Sequence, residues 1–270
     1  MVHNKLNEIR NKVMQQNPLI HCITNPISIN QCANALLAVG ASPIMAEHPL
    51  EVSEITQTAG ALLLNMGNIT DVRMQSMEIS AHTAKINNIP FVIDTVGISC
   101  SVLRRKFAND IIEKYTPTLI KGNYSEITAL YNTAYKSVGV DAHQKDENAV
   151  LQAAKAVAQK YGTIVLASGK KDIITDGKIV VFISNGTPRL ASITGTGCMQ
   201  GALCAAYLSA ERSIWGCACG CAVMGIIGQK AESVNGSGSF LVKLMDELSL
   251  LDSSDIEKYL FMEVKSFEKA

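Results

Sequence analysis

The stretch ALLLNMGNITDVRMQSMEISAHTAKINNIPFVID, residues 61–94, decides the fold class. It contains two short apolar runs, 61–65 and 90–94, separated by a segment with helical periodicity from about Thr70 to Ile86. Short apolar runs bounded by turn residues are typical of buried strands. Parallel neighbouring strands need a long crossover connection, which is usually a helix. The stretch therefore predicts one β-α-β unit of a parallel sheet.

The same alternation continues on both sides of this stretch to about residue 167. Asp176-Gly177, between the apolar runs of residues 172–184, interrupts the pattern and predicts an antiparallel hairpin at the sheet edge. From Gly197 onward the chain is rich in small residues and is predicted to be helical. The predicted helices are 4–16, 28–39, 70–86, one through the Arg104 region, 124–131, 148–161, 198–210, 213–234 and one from 239, and the predicted strands are 18–23, 42–46, 61–65, 90–94, 118–121 and 163–167.

These elements predict an α/β fold with three layers, α/β/α. In such a fold, helices cover both faces of a mostly parallel central sheet. The chain of 270 residues suits one large α/β domain or two small ones. We see no linker, low-complexity tract or internal repeat, so residues 1–270 are predicted to form a single domain.

Composition excludes several classes of function. Lys plus Arg and Asp plus Glu both number 24, with no strongly basic stretch, so no nucleic-acid partner is expected. No apolar run reaches the ~18 residues of a membrane span, and the polar, amphipathic residues 1–18 do not resemble a signal peptide. Most of the eight cysteines lie among small apolar residues, and the run 217–221 is expected to project around a helix. We therefore expect buried thiols, rather than disulfides or zinc ligands, in a cytoplasmic protein.

Polar residues follow five of the predicted strands, where open parallel sheets bind their ligands. Turns also favour Gly, Asn and Asp, so any one of these clusters can be explained as a turn alone. Together they predict a shared edge with a binding site. The clusters are Asn65-Met-Gly67, Asp94-Thr-Val-Gly97, Lys121-Gly-Asn123 with Glu126, Ser168-Gly169 and Thr194-Gly-Thr-Gly-Cys198.

The last cluster places glycines between a predicted strand, Leu190–Ile193, and a long helix. The first N–H groups of a helix lack intrahelical partners and carry positive potential, which suits an anion such as a transferred phosphoryl group. The GxxxxGK[ST] pattern of a P-loop is absent. The alternative is a tight strand-to-helix turn in which Cys198 only fills space.

Two carboxylates and one cation are candidates for a metal and a phosphate. Asp94 and Glu126 follow neighbouring strands and could hold a hydrated Mg²⁺. Glu126 also stands three residues after Asn123, as in a capping box, and both roles could hold together. Lys121 could steady a phosphate, or it could be a solvated surface lysine.

The chain resembles the hydroxyethylthiazole kinase family of the ribokinase-like superfamily over most of its length. The most specific parts of the resemblance are residues 34–46, NALLAVGASPIMA, together with the Gly195-Thr-Gly-Cys198 turn. The other matching segments are 18–25, 64–67, 92–97, 120–126, Gly186 and 236–240.

This resemblance implies transfer of the γ-phosphoryl group of ATP to the alcohol of 4-methyl-5-(2-hydroxyethyl)thiazole, with Mg²⁺, in thiamine biosynthesis. It also implies a homotrimer with substrate pockets at the subunit interfaces. Two alternatives stay open. One is a ribokinase-like kinase of another small alcohol, such as hydroxymethylpyrimidine, pyridoxal or a sugar. The other is a non-catalytic protein that binds thiazole or ATP.

The resemblance also implies roles for individual residues. Some would bind the thiazole, some the ATP phosphates, two the metal, and one would lie beside the attacking hydroxyl. They are Met45, Gly195 and Asn25 for the thiazole, Lys121, Ser168 and Gly197 for ATP, Asp94 and Glu126 for the metal, and Cys198 beside the hydroxyl.

Three positions depart from the family pattern. Thr95 stands where the family usually has proline after the aspartate, so the turn loses a fixed φ. Lys121 replaces the usual arginine, which removes bidentate phosphate contact but keeps the charge. Ser237 replaces the proline of a GPGSF pattern.

Overall fold

A computed structural model describes residues 2–132, 134–135 and 146–267. Within them, nine strands form one sheet. The strands are β1 (Leu19–Ile23), β2 (Ser42–Ile44), β3 (Ala61–Asn65), β4 (Phe91–Asp94), β5 (Leu119–Asn123), β6 (Ile164–Ser168), β7 (Asp172–Thr175), β8 (Ile179–Ile183) and β9 (Met262–Ser266). Their order is β2-β1-β3-β4-β5-β6-β7-β8-β9. The pairings from β2 to β6 are parallel, and those from β6 to β9 are antiparallel.

Helices cover both faces of this sheet. They are α1 (Val2–Gln16), α2 (Ile29–Ala38), α3 (Val52–Thr58), α4 (Asp71–Ile86), α5 (Val102–Tyr115), α6 (Tyr124–Tyr131), α7 (Glu147–Tyr161), α8 (Thr196–Ala210), α9 (Ile214–Lys230), α10 (Ser237–Leu250) and α11 (Ser253–Tyr259). One hydrophobic core joins the sheet to α1, α2 and α8–α11, and a second joins the opposite face to α3–α7. The predicted three-layer α/β/α architecture is thus confirmed.

Most predicted elements appear close to their predicted bounds, and the hairpin of β7 and β8 is antiparallel as expected. It does not form the sheet edge, however, because β9 pairs with β8 on its outer side. The predicted strand at Leu190–Ile193 is wrong. This region belongs to a 3-10 helix, Pro188–Ser192, in which Thr187 caps the start by accepting a hydrogen bond from the Arg189 N–H. The helices α3 and α11 and the strand β9 were not predicted from the sequence.

The cysteines of residues 217–221 were expected to project around a helix, and the structure corrects this expectation for two of them. Cys217 and Cys221 are four residues apart on α9, so they lie on one face of that helix. Their sulfur atoms and that of Cys204 on α8 all lie within 4.8 Å of one another. A Cβ added at Gly220 would lie 2.8 Å from the Cys204 nitrogen, so the backbones of α8 and α9 approach closely. We interpret the three buried thiols as small residues that allow this close packing.

One segment within the described residues is long and apolar enough to cross a membrane by length and composition alone. It is Ile214–Ser233, with a mean hydropathy of 1.3. This finding corrects the expectation that no segment reaches the required length. Of its most apolar stretch of 18 residues, 83% is buried inside the fold, as in the core helix of a globular domain.

Candidate active site

Four of the five polar clusters follow adjacent parallel strands and meet at one edge of the sheet. In the strand register, Asn65 is opposite Asp94, and Asp94 is opposite Lys121. Asn123 is opposite Ser168 on the next pair. The carboxyl ends of parallel strands share one edge, which brings these residues together although they are distant in sequence.

The fifth cluster reaches the same edge at the start of α8. A Cβ added at Gly201 of α8 would lie 3.3 Å from Oδ2 of Asp94. A Cβ added at Gly197 would lie 3.9 Å from Nζ of Lys121. The tight approach at Gly201 and the ordinary van der Waals contact at Gly197 show that α8 begins directly over the ends of β4 and β5. The predicted convergence of the five clusters is therefore present.

Two asparagines hold the Cys198 thiol. The side-chain amides of Asn25 and Asn65 each donate a hydrogen bond to Sγ of Cys198, both at 3.3 Å. Asn65 also donates to Oδ2 of Asp94 at 3.2 Å, and its own oxygen accepts from the Gly67 N–H. Asn65 was predicted to lie at this edge, in the cluster that follows β3, but no role was assigned to it. Its signal in the sequence is a polar residue that ends a wholly apolar strand.

Asp94 and Lys121 form a buried ion pair, with 3.0 Å between Oδ2 and Nζ. Lys121 is only 3% exposed, so the alternative of a solvated surface lysine is wrong. Burial acts to lower the pKa of Lys121, but the Asp94 carboxylate outweighs burial and raises that pKa above its ordinary value. Burial raises the pKa of Asp94, and the Lys121 ammonium opposes that rise.

The oxygens available for a metal fit a hydrated Mg²⁺. Lys121 and Asn65 both bind Oδ2 of Asp94, and no group in the described part of the chain donates to Oδ1. Mg²⁺ in phosphoryl-transfer sites is usually held by one or two carboxylates, with water and phosphate oxygens supplying the rest. Asp94 can therefore present one oxygen to the ion while its other oxygen remains bound to the protein.

Glu126 is held by two backbone amides. Its Oε2 accepts from the Asn123 N–H and its Oε1 from the Gly97 N–H, both at 2.7 Å. The Asn123 side chain accepts from the Glu126 N–H in return, which confirms the capping box. Burial raises the pKa of Glu126 to about 7, and the Gly97 N–H opposes this rise. Both carboxylate oxygens of Glu126 thus already accept hydrogen bonds from backbone amides.

Thr95 makes the hydrogen bonds that its replacement of proline allows. Its N–H and its hydroxyl both donate to the carbonyl of Lys121, at 2.8 and 2.9 Å. A proline has neither donor. The bonds fix the turn after β4 to β5, so this turn keeps a defined position without a proline ring.

The start of α8 has the geometry of an anion site. Gly195 is the residue before the helix and has φ +90°, a conformation that favours glycine. The N–H groups of Gly197 and Cys198 lie in the first turn, where no intrahelical acceptor exists. The helix dipole and the nearby Lys121 both add positive potential there. Any residue other than proline at position 198 would supply this N–H, and what distinguishes Cys198 is the thiol that Asn25 and Asn65 hold beside the turn.

The remaining predicted residues lie along the same edge. Ser168 ends β6, is half-buried, and donates to the Gly122 carbonyl at 3.3 Å. Met45 follows β2 and is also half-buried. His21, which the sequence analysis did not single out, supports that segment because its Nε2 lies 2.9 Å from the Ala46 carbonyl oxygen. Burial lowers the pKa of His21, which favours the neutral ring.

The arrangement of layers and site residues defines the class. This is a ribokinase-like α/β protein whose site lies at the carboxyl ends of the parallel strands. Two solved structures share the fold at low identity, which shows the fold alone. A pyridoxal kinase from Staphylococcus aureus in complex with AMP-PCP and pyridoxal has TM-score 0.63, 14% identity, and coverage of 92% of this chain and 98% of its own. A ribokinase-like superfamily protein from Enterococcus faecalis has TM-score 0.64, 12% identity, and coverage of 92% and 94%.

Sequence comparison identifies the family. Residues 10–254 match the model of the hydroxyethylthiazole kinase family, and the chain belongs to this kinase family. Hydroxyethylthiazole kinase 2 of Clostridium botulinum (strain Hall) is 46% identical over 260 residues, which cover 93% of this chain and 97% of the relative. A hydroxyethylthiazole kinase of Finegoldia magna is 41% identical and covers 94% of each chain. The structure of a hydroxyethylthiazole kinase from Pyrococcus horikoshii OT3 has TM-score 0.90, 30% identity, and coverage of 97% and 99%. The predicted resemblance is confirmed.

Proposed function

We propose that the protein transfers the γ-phosphoryl group of ATP to the alcohol of 4-methyl-5-(2-hydroxyethyl)thiazole, with Mg²⁺, as a step of thiamine biosynthesis. One observation carries the proposal: the Cys198 thiol, the first turn of α8 and the Asp94–Lys121 pair meet at one edge of the sheet. Phosphoryl transfer mainly needs alignment of the reactants and neutralisation of charge. This edge supplies groups for both tasks.

On the donor side, Lys121, Ser168 and the Gly197 N–H would bind the phosphates of ATP. A cation and a backbone amide in a buried setting stabilise phosphoryl charge more strongly than they would in water. Asp94 and Glu126 would hold magnesium, which when bound neutralises charge on the phosphates. The buried Asp94–Lys121 pair keeps both charged groups at the position where the phosphate would lie.

On the acceptor side, Met45, Gly195 and Asn25 would line the thiazole pocket beside Cys198. The alcohol oxygen forms its bond to the γ-phosphorus as the bond from that phosphorus to the ADP oxygen breaks. The alcohol must also lose its proton, and we assign the Cys198 sulfur as the group that accepts it. Two amide donors already fix this sulfur, so positioning of the hydroxyl is its larger role.

We also propose that residues 1–270 act as one domain in a cytoplasmic homotrimer whose pockets lie between subunits. Gly195 and Met45 are only half-buried in the single chain. Leu50, five residues after Met45, is 90% exposed, and Ile27, which precedes the Ser28 that packs against Gly195, is 62% exposed. A second copy of the chain would cover them and close the pocket. Light scattering coupled to gel filtration tests this, because a monomer at working concentration would contradict it.

The activity test uses purified protein, Mg-ATP and hydroxyethylthiazole, with mass spectrometry of the product. We expect the phosphate ester and ADP in equal amounts, and no product without magnesium. Parallel reactions with hydroxymethylpyrimidine, pyridoxal and ribose test the rival alcohols. Higher kcat/KM for any of these would replace the proposed substrate. Calorimetric binding of thiazole with no product would instead indicate a binding protein.

A further inference from the structure

A buried carboxylate outside the predicted site joins two parts of it. Asp172 is the first residue of β7 and is 8% exposed. Its Oδ1 accepts from the Gly169 N–H at 3.2 Å, and its Oδ2 accepts from Nε2 of Gln200 at 2.7 Å. Gly169 directly follows Ser168, and Gln200 lies in the second turn of α8. Asp172 thus connects the turn after β6 to the helix that begins at the anion site.

Packing alone does not account for a carboxylate at this position. Burial of a carboxylate without a cation in hydrogen-bond contact is costly, and an apolar residue would avoid that cost. Burial raises the pKa of Asp172 to about 7, and the Gly169 N–H opposes the rise. Both oxygens are used in directed hydrogen bonds to two different elements, which is how a side chain fixes a distance.

Other contacts fix the turn after β6 on its outer side. A Cβ added at Gly169 would lie 2.6 Å from the Tyr124 ring, so the turn packs directly on that ring. The Tyr124 hydroxyl donates to the Lys171 carbonyl at 2.6 Å. Lys171 in turn pairs with Glu147 at 3.1 Å. These contacts hold the turn to α6 and α7. Among the hydrogen bonds of the described residues, only the one between Gln200 and Asp172 holds it to α8.

We propose that Asp172 and Gln200 form a positioning bridge that sets the distance between the Ser168–Gly169 turn and the first turn of α8. The inference rests on the proposed function, in which Ser168 contacts ATP and α8 stabilises the transferred phosphoryl group. The bridge lies on the β6–β7 side of the site, whereas Met45 and Asn25 follow β2 and β1. The start of α8 is also packed on the β1 side, because a Cβ added at Gly195 would lie 3.2 Å from the Ser28 Cβ. Loss of the bridge should therefore displace mainly the Ser168–Gly169 turn, and impair ATP use without a matching loss of thiazole affinity.

Four variants separate geometry from charge. Asp172→Ala removes both hydrogen bonds, and we expect kcat/KM for ATP to fall about tenfold to a hundredfold, as for other small misplacements of reactants. Gln200→Ala removes one bond and should cause a smaller loss. Asp172→Asn can keep both bonds, because the Gln200 amide can turn its oxygen toward the new NH₂ group, so it should stay within about threefold of wild type. The double alanine variant should be no worse than Asp172→Ala.

The measurements are KM and kcat with ATP and thiazole varied in turn, calorimetric binding of ADP, and thermal unfolding. Asp176→Ala is the matched control, because Asp176 also accepts backbone N–H bonds, from Lys178 and Ile179, in the neighbouring turn away from the site. We expect Asp172→Ala to raise KM for ATP and weaken ADP binding while KM for thiazole stays unchanged. The control should keep wild-type kinetics.

Equal changes in both KM values, or a lowered melting temperature with wild-type kinetics, would overturn the bridge and leave a structural role only. Asp172→Asn as impaired as Asp172→Ala would show that charge, not geometry, matters. If Asp172→Ala does not fold, the Gln200→Ala comparison decides by the same criteria. ADP binding does not require the alcohol substrate. The calorimetric measurement of ADP binding therefore stays interpretable even if thiazole is not the substrate. If the affinity for ADP is unchanged in both Asp172→Ala and Gln200→Ala, that result alone rejects the bridge.

Discussion

The parallel and antiparallel parts of the sheet use buried polar residues differently. At the ends of β3, β4 and β5, the residues Asn65, Asp94 and Lys121 are at most 3% exposed, and their side chains bind one another around Cys198. In the antiparallel part, Asn185 beyond β8 binds backbone groups of the C-terminal segment. The first group surrounds a thiol and an anion site, and the second joins distant parts of the chain.

Topology explains the difference. Parallel strands joined by helical crossovers place every carboxyl end at the same edge, so polar residues from distant sequence positions meet there. Antiparallel neighbours alternate their ends, so no such accumulation arises. Damage to the parallel edge should therefore reduce turnover, and damage to the antiparallel part should reduce stability. Asp172 lies where the two parts meet.

The largest effect is expected at the parallel edge, for Asp94→Asn. Turnover should fall at least about a hundredfold, because the carboxylate that would hold Mg²⁺ beside the phosphates is lost. Thiazole binding should change far less. The variant also leaves Lys121 buried without its counter-charge, which should cost about 3–5 kcal/mol of stability. Initial rates at varied Mg²⁺, thiazole calorimetry and urea unfolding measure the three effects.

Two further variants separate the loss of turnover from the loss of stability. Asp94→Asn combined with Lys121→Gln removes both charges and should recover stability without recovering turnover. Asp176→Asn makes the same substitution in the antiparallel part, where asparagine can also accept the turn hydrogen bonds, and should leave both properties unchanged. Equal losses of turnover and thiazole binding in Asp94→Asn would speak against a metal role.

The next largest effect tests the thiol. Cys198→Ala should lower kcat, by up to about a hundredfold if proton transfer contributes. Cys198→Asp should keep substantial activity, because a carboxylate can take the same proton and can accept hydrogen bonds from the amides that hold the sulfur. Rates are compared at equal folded concentration, verified by circular dichroism. If both variants were equally inactive with the fold intact, Cys198 would not act as a base.

A substitution in the antiparallel part should change only the free energy of unfolding. Asn185→Ala removes hydrogen bonds to Gln229 at 2.8 Å, to the Tyr259 carbonyl at 2.6 Å and from the Phe261 N–H at 2.7 Å. The buried groups left without partners should cost about 1–3 kcal/mol in urea unfolding. Kinetic constants of the folded protein should not change. Exposed Asn34→Ala, on α2, is the control and should shift stability by less than about 0.5 kcal/mol. A fall in kcat for Asn185→Ala would undo the division between the two parts.

The sequence was sufficient to predict the bounds of the elements that have strong local signals. The strand β3 and the helix α6 have the predicted bounds, because an apolar run and a capping signal each mark their own ends. The unpredicted elements lack an apolar pattern, although α11 does begin with a capping box formed by Asp252 and Asp255. The helices α3 and α11 have only seven residues each, and four of the five residues of β9 are exposed, so no apolar periodicity reveals them.

The site was predictable in outline but not in its contacts. Strand ends predicted which residues gather, since a parallel sheet brings them to one edge. They did not predict that Asn25 and Cys198, 173 positions apart, share a hydrogen bond. They also did not reveal Asp172, because a carboxylate that opens a hairpin strand looks like an ordinary turn residue. Such roles depend on long-range packing, which no local window contains.

The smallest expected effect lies outside both parts of the sheet, at Ser237→Pro. Ser237 is the exposed first residue of α10, where proline is favoured because its fixed φ suits a helix start and no intrahelical bond is lost. The substitution should add about 0.4–1 kcal/mol to the free energy of unfolding, by restricting the unfolded chain, with rates unchanged. Ser249→Pro near the other end of α10 is the control and should destabilise, because an interior proline removes a helix hydrogen bond. Lower stability for Ser237→Pro in thermal denaturation would mean that the backbone there does not accept the proline φ, and a changed kcat would extend the functional edge to the start of α10.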